Sequence, residues 1–331
     1  MTVAPTVLLG HALPPADSPD MQAALATLRL PFVRRWLQSS VPQHTVHTPA
    51  DDPATPLERA RADTLGWTSS SATLPWAALA AWEASHRVAT PSPHDNVSDT
   101  SRDTAWAFVT LCHWQVGQGQ FTLLDAGPVH ESESNALLAS MQAYFEEDGI
   151  TLLPYEPGRW LARSALFEGL SSASLTRVLG LPIEPWLLGA QRAELPPAIR
   201  TLRRLQNEMQ MLLYQHPVND TRRTPLNSIW FEGCGRLGGA TPPPSEETPV
   251  VQVIDDLREP WLLRDTSAWV QAWERLDAEV LPAWLEPQGA RVAWCGQRQT
   301  RWWIHETPSA WQRLQRRLRP IPPLEVLACD A

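Results

Sequence analysis

The sequence predicts an α/β protein in which a mixed sheet is flanked by helices, and three observations carry that reading. Short apolar runs bounded by Gly and Pro alternate with segments of helical period. One such segment, from Pro196 to His216, is strongly amphipathic. Hydrophobic residues make up 43% of the 331 residues and charged residues 19%, close to globular averages, so the chain can bury a core.

In chain order, Val7 to Leu9 reads as a buried strand, because Met1 to Gly10 lacks the basic start and long apolar centre of a signal peptide. Met21 to Leu28, Leu57 to Leu65 and Trp76 to Ser85 read as helices. Ser39 to Thr55, Ala89 to Asp103 and Gly238 to Thr248 are rich in polar residues and Pro, and read as exposed connections. The second of these suggests an N-terminal α/β part, 1–104, and a main part, 105–331, or one continuous domain. Phe121 to Leu124 follows as a strand. Glu133 to Glu146 is a helix with Leu137, Leu138, Met141, Tyr144 and Phe145 on one face. Asp148-Gly149 stops it, and Ile150 to Leu153 pairs with Arg159 to Ala162.

The long helix opens at Pro196-Pro197, where a missing N–H costs nothing, and Ile199, Leu202, Leu205, Met209, Leu212 and Leu213 form its apolar stripe. His216-Pro217 ends it, since a residue before Pro is pushed out of helical geometry. Leu226 to Phe231 is then a strand running into a Gly233-Cys234-Gly235 turn. The remaining expected strands are Val250 to Ile254, Arg291 to Trp294, Arg301 to Ile304 and Leu324 to Leu327. The remaining helices are Ser267 to Leu281 and Ser309 to Leu318.

Composition removes whole chemistries. All 27 basic residues are Arg, so Schiff-base and pyridoxal phosphate catalysis and the P-loop and kinase lysines are excluded. A net charge of −9 opposes loose binding to nucleic acid or an anionic membrane. Every apolar run is broken by Pro, Arg or Asp before it reaches spanning length. Cys112, Cys234, Cys295 and Cys329 lack CxxC spacing and read as reduced, buried thiols of a cytoplasmic protein.

Motif chemistry is sparse. His44 and His47 sit in a polar stretch without a partner pair, and His94-Asp95 lies in the longest connection. His113 reads as a satisfied core histidine, and Asp255-Asp256 resembles a Mg²⁺-binding strand end only weakly. There is no GxSxG, and neighbours such as Cys112-His113 point to opposite faces of a strand. Seven arginines between Arg291 and Arg319 alternate with Trp294, Trp302, Trp303 and Trp311. That pattern suits single-stranded nucleic acid or, as the acidic total favours, a tryptophan-packed strand pair followed by an amphipathic helix. The dense constellation is Arg200 to Arg236. It gathers Asn219, Arg222, Arg223 and Asn227 at a helix-to-strand turn, followed by Trp230, Gly233, Gly235 and Arg236. Guanidinium forks, amides and glycine-exposed N–H groups suit a small phosphorylated or carboxylate ligand, whereas the structural alternative is a loop that caps the helix end.

The run HPVN-x-x-R followed by PLNSIWFEGCGR resembles a stretch of the archaeal-type cofactor-independent phosphoglycerate mutases. HWQVG, LLDAG, YFEEDGI, GRWL, RRLQNEMQMLL and NSIWFEGCG are similar to a bacterial family of RpfE-like regulatory proteins, best over residues 105–240. The resemblance implies a degenerate alkaline-phosphatase-like architecture, and it matches Asn219, Arg222, Asn227, Trp230, Gly233 and Gly235 to the family positions. In those mutases the chemistry is phosphoryl transfer through a Ser with two divalent metals. Here VLLG is followed by His-Ala-Leu-Pro instead of the metal-binding Asp-Gly turn, and the C-terminal third lacks the paired Asp-His ligand runs. The expectation is therefore a non-catalytic relative with a regulatory or small-anion-binding role, no metal and no cofactor. One alternative is an active mutase or phosphohydrolase drawing on His94, Asp95, Asp125, His130, Asp255 and Asp256. The other is a protein-interaction scaffold using the 17 Trp residues.

Overall fold

The computed structural model describes residues 4–67, 73–88, 103–117, 119–238 and 250–306. In chain order the first elements are β1 (Thr6–Leu9), α1 (Pro19–Thr27), α2 (Pro31–Gln38), β2 (Ser40–His47), α3 (Pro56–Thr64) and α4 (Trp76–Val88). Then come β3 (Trp106–Gly117), β4 (Gln120–Leu124), α5 (Glu131–Glu147), β5 (Thr151–Glu156), β6 (Arg159–Arg163), α6 (Leu175–Val178) and α7 (Pro197–Tyr214). The last are β7 (Ser228–Gly235), β8 (Val251–Ile254), α8 (Arg258–Leu262), α9 (Thr266–Arg275), α10 (Leu281–Leu285), β9 (Arg291–Cys295) and β10 (Gln299–His305). The fold class is mixed α/β, with two sheets flanked by helices. The helix and strand expected at Ser309 to Leu318 and Leu324 to Leu327 lie outside the described residues, as does most of the Ala89 to Asp103 connection.

The chain divides into one unit of Met1–Ser69 with Pro242–Ala331, and another of Ser70–Thr241. The sequence expectation is a linear boundary near residue 104 or one continuous domain, and this division instead joins segments from both ends of the sequence. The physical reason is β1: four fully buried residues need hydrogen-bonding neighbours on both sides, and the C-terminal third supplies them.

In the first unit the strand order is β2-β10-β9-β1-β8. β1 runs parallel to β8 and β9, while β10 is antiparallel to β9 and β2. Side chains alternate across the sheet. Val7, Leu9, Val292 and Trp294 pack with α1, α2, α8, α9 and α10, whereas Leu8, Ala293, Cys295 and Trp302 meet Leu57 and Ala60 of α3. Burial on both faces explains the unbroken VLL run. The stretch expected to be a loop after Ser39 contains β2, an exposed, polar edge strand whose Pro42 faces a register shift in β10. The helix expected at Ser267 to Leu281 is α9 followed by a π turn, Leu276–Val280, where buried Asp277 accepts the Phe32 and Val33 amides at the start of α2.

In the second unit β3 pairs antiparallel with β4, β6 and β7, and β5 pairs with β6. Val109, Leu111, Trp160, Ala162, Ile229 and Phe231 face α5 and α7. The opposite face, with Cys112 and Trp230, is covered by residues between Ala173 and Leu187. Ile199, Leu202, Leu205, Met209 and Leu213 of α7 are buried as their spacing predicts. Tyr144, assigned to the apolar face of α5, instead stands exposed. The glycines Gly233 and Gly235, expected in a turn, lie buried at the end of β7 with φ of 60° and 132°. A Cβ on Gly233 would stand 3.1 Å from the Ala77 amide of α4, so glycine is required by the close approach of that helix.

Candidate functional site

At the α7–β7 connection, Asn219, Arg222 and Asn227 come together, and each is engaged by the fold. Asn219 donates its amide to the Leu213 and Leu226 carbonyls at 2.8 and 2.9 Å and accepts the Leu226 N–H at 2.7 Å, closing the helix end onto the strand start. Asn227 accepts the Trp114 N–H at 2.7 Å and donates to the Trp114 carbonyl at 2.9 Å, acting as a side-chain extension of the sheet. Arg222 donates through Nη1 to both carboxylate oxygens of Glu133 at 3.1 and 2.9 Å and to the Pro128 carbonyl. Its Nη2 and Nε donate to the carbonyls of Ala126 and Thr224. The two side chains are only 9% and 17% exposed. Burial pushes the Glu133 carboxyl up, but the His130 amide, the Arg222 guanidinium and the charge of His130 outweigh it and hold the carboxyl below its usual range.

The other expected residues lie elsewhere. Trp230 is buried and donates its indole N–H to the Ala173 carbonyl at 2.8 Å. Arg223 is exposed, and Arg236 pairs with Glu168 at 3.2 Å on the surface. Gly233, Gly235 and Arg236 are at the far end of β7, roughly 20 Å from its start at ~3.3 Å per residue. The structure therefore does not bring the glycine segment beside Arg222. Further along β7, buried Glu232 is satisfied by Arg159 at 3.0 Å, the Thr110 hydroxyl and the Leu175 amide.

A different arrangement stands at the carboxyl ends of β1 and β8 in the first unit, the edge where open α/β sheets place ligands. His11, directly after β1, has φ of 57°, a left-handed backbone that costs energy for a residue with a side chain. Its Nδ1 is 2.9 Å from Oδ1 of Asp255, at the end of β8. Gly10 makes this possible, because a Cβ there would stand 2.5 Å from that same oxygen. Trp269 donates its indole N–H to the His11 carbonyl and Trp261 to the Leu13 carbonyl, so the turn is tied down from α9 and α8. In a neutral imidazole whose Nδ1 donates to the carboxylate, the lone pair lies on Nε2; the side chain is 13% exposed, and Nε2 has no hydrogen-bond partner among the described residues. The departure VLLG-His was legible in the sequence, but its partner lies 244 residues away.

The remaining candidates are structural. Asp125 caps the Gly127 amide, His130 precedes α5, and Asp256 pairs with Arg275, while His94 and Asp95 lie outside the described residues. His113 is satisfied by the Pro225 carbonyl at 2.8 Å but is part-exposed, so it is not the core residue expected. Among the described residues no three His, Cys, Asp or Glu side chains form a group able to hold a cation. The two-metal centre implied by the mutase resemblance does not fit the edge of β1 either, since His11, Asp255 and Asp256 do not form, with any further ligand among the described residues, a group able to hold a cation. Burial pushes the Cys234 and Cys295 thiols up to about 12 and the Cys112 thiol higher still, which makes all three poor nucleophiles. Trp294, Trp302 and Trp303 are buried, so their rings do not face a partner strand of nucleic acid, and Trp311 lies outside the described residues. No helix among the described residues is long and apolar enough to cross a membrane.

No protein-family model matches the chain, and no curated protein matches it. Among solved structures, the PH0037 protein from Pyrococcus horikoshii is similar over 94% of this chain and 89% of that one, at 10% identity and a TM-score of 0.46. The cofactor-independent phosphoglycerate mutase from Thermoplasma acidophilum DSM 1728 is similar over 92% of this chain and 90% of that one, at 11% identity and a TM-score of 0.32. The chain is distantly similar in structure to these two proteins.

Proposed function

We propose that this chain is a non-catalytic, phosphoglycerate-mutase-like cytoplasmic protein of the RpfE-like kind, with a regulatory role exercised by binding a small phosphorylated or carboxylate ligand. One observation carries the non-catalytic part. Arg222, the guanidinium at the matched mutase position, is closed onto Glu133 and three backbone carbonyls. A substrate reaches it only by displacing an internal carboxylate that already supplies the charge and takes Nη1 with both of its oxygens. The sequence has thus turned a substrate-handling residue into a fastening between the α7–β7 connection and the start of α5.

The test pairs a mutase assay, with 3-phosphoglycerate and added Mn²⁺ or Zn²⁺, with thermal shift against the same anion. We expect no turnover above background and a rise in Tm with ligand. Arg222→Ala should lower the starting Tm and leave the ligand-induced rise intact. Turnover that vanishes in a folded Arg222→Ala protein overturns the non-catalytic reading, and a Tm indifferent to the anion overturns the binding role.

A further inference from the structure

We infer that His11 and Arg264 form a binding site for a small hydroxylated anion at the carboxyl ends of β1 and β8, which rests on the anion-binding reading above and gives it a seat. Among the described residues only two that are not glycine have positive φ, His11 at 57° and Arg264 at 55°. They are far apart in sequence, yet both touch one side chain. The His11 ring meets the Trp261 ring edge-on at 5.1 Å, and the Arg264 guanidinium lies 4.7 Å from the Trp261 ring centre. Imidazole and guanidinium are therefore no more than about 10 Å apart.

The left-handed backbone of Arg264 closes the end of α8, where the Asp265 N–H reaches the Pro260 carbonyl at 2.9 Å, whereas the strain at His11 sits on the ligand-binding edge of the sheet and points to a ligand. Asp255 fixes the imidazole, so Nε2 accepts a hydrogen bond from a ligand hydroxyl. Arg264 meets Asp17 at 3.1 Å, but that pair is exposed, 37% and 67%, and exchanges at little cost for a ligand carboxylate or phosphate. Nη1 of Arg264 is held by the Trp261 carbonyl at 2.9 Å, so displacing Asp17 frees Nη2 to take a ligand oxygen beside the Trp261 ring. The ligand class is an anion carrying a nearby hydroxyl. Glycerate and glycerol 3-phosphate represent its carboxylate and phosphate forms, and propionate lacks the hydroxyl.

Titration of each probe into the full chain, read by calorimetry and by imidazole ¹H–¹⁵N resonances, tests the site. Glycerate or glycerol 3-phosphate should bind and shift the His11 ring signals, and whichever binds tighter identifies the anionic group. His11→Gly and Arg264→Gly, which suit the left-handed backbone and so keep the fold, should each weaken binding about tenfold or more. Asp17→Asn, by releasing the guanidinium, should tighten it. Binding unchanged in both glycine variants overturns this seat while leaving an anion role elsewhere. Propionate binding as tightly as glycerate overturns the part given to His11. No binding of any probe to the wild type or Asp17→Asn overturns both the seat and the anion-binding role.

Discussion

Two arginines, one in each unit, show how the same side chain serves opposite ends. Arg222, in the antiparallel unit, is nearly buried and its donors end on Glu133 and on carbonyls. Arg264, in the unit with the parallel strands, stands part-exposed in a left-handed backbone and, among the described residues, meets only Trp261 and a solvent-bathed Asp17. The difference teaches that richness in arginine and asparagine is a poor guide to a binding site. A polar group that must be buried is satisfied internally, so the densest polar cluster of a sequence is often where the fold is fastened. Residues free to meet a ligand are those whose internal partners are weak.

The largest expected effect breaks that comparison most directly. Arg222→Ala leaves the Glu133 carboxylate and the Ala126 and Pro128 carbonyls without their donor, and should cost about 3 kcal/mol. Arg264→Ala removes an exposed pair and should cost under about 1 kcal/mol. Urea unfolding, with hydrogen exchange read separately on peptides from each unit, checks both. Equal costs would erase the distinction between fastening and receptor.

A middle-sized effect sharpens the reading of His11. His11→Ala and His11→Gly both delete the ring, so their difference isolates the backbone. Glycine should be the more stable by about 1 kcal/mol, because φ of 57° burdens any Cβ. Equal stability of the two variants would mean the turn is not strained.

Local pattern carried most of the fold. The stripe of α7, the stop at His216-Pro217 and the short strands β5, β6, β9 and β10 were all readable, because each depends on neighbours within a few residues. β2 was not, since a polar edge strand has no hydrophobic period and is defined by its pairing with β10. Gly233 and Gly235 read as a turn because glycine signals conformation, not its cause, which here is α4 lying against the strand. For the site, the residue types were legible and their engagements were not. Glu133 precedes Arg222 by 89 residues and Asp255 follows His11 by 244, distances over which no spacing rule operates. VLLG-His looked like the loss of a metal turn, and only the fold shows what the histidine gained.

The smallest effect separates the units by acid. Glu133 has a folded pKa below its unfolded one. It therefore adds stability above the ordinary carboxylate value, and that contribution fades as pH falls through the lowered folded value. Asp277 has the opposite sign. Burial raises its pKa, against the Val33 and Phe32 amides and the Arg35 charge, so its ionised form opposes folding at neutral pH. That opposition is relieved as pH falls through the raised folded value towards the ordinary one. Acidification from neutrality should thus first hold or improve exchange protection around α2 and the π turn, and then reduce it around α5 and the α7–β7 connection. Asp277→Asn should flatten the first response and Glu133→Gln the second. If both regions lose protection together on acidification, and neither variant changes that, the two carboxylates do not mark opposite electrostatic designs.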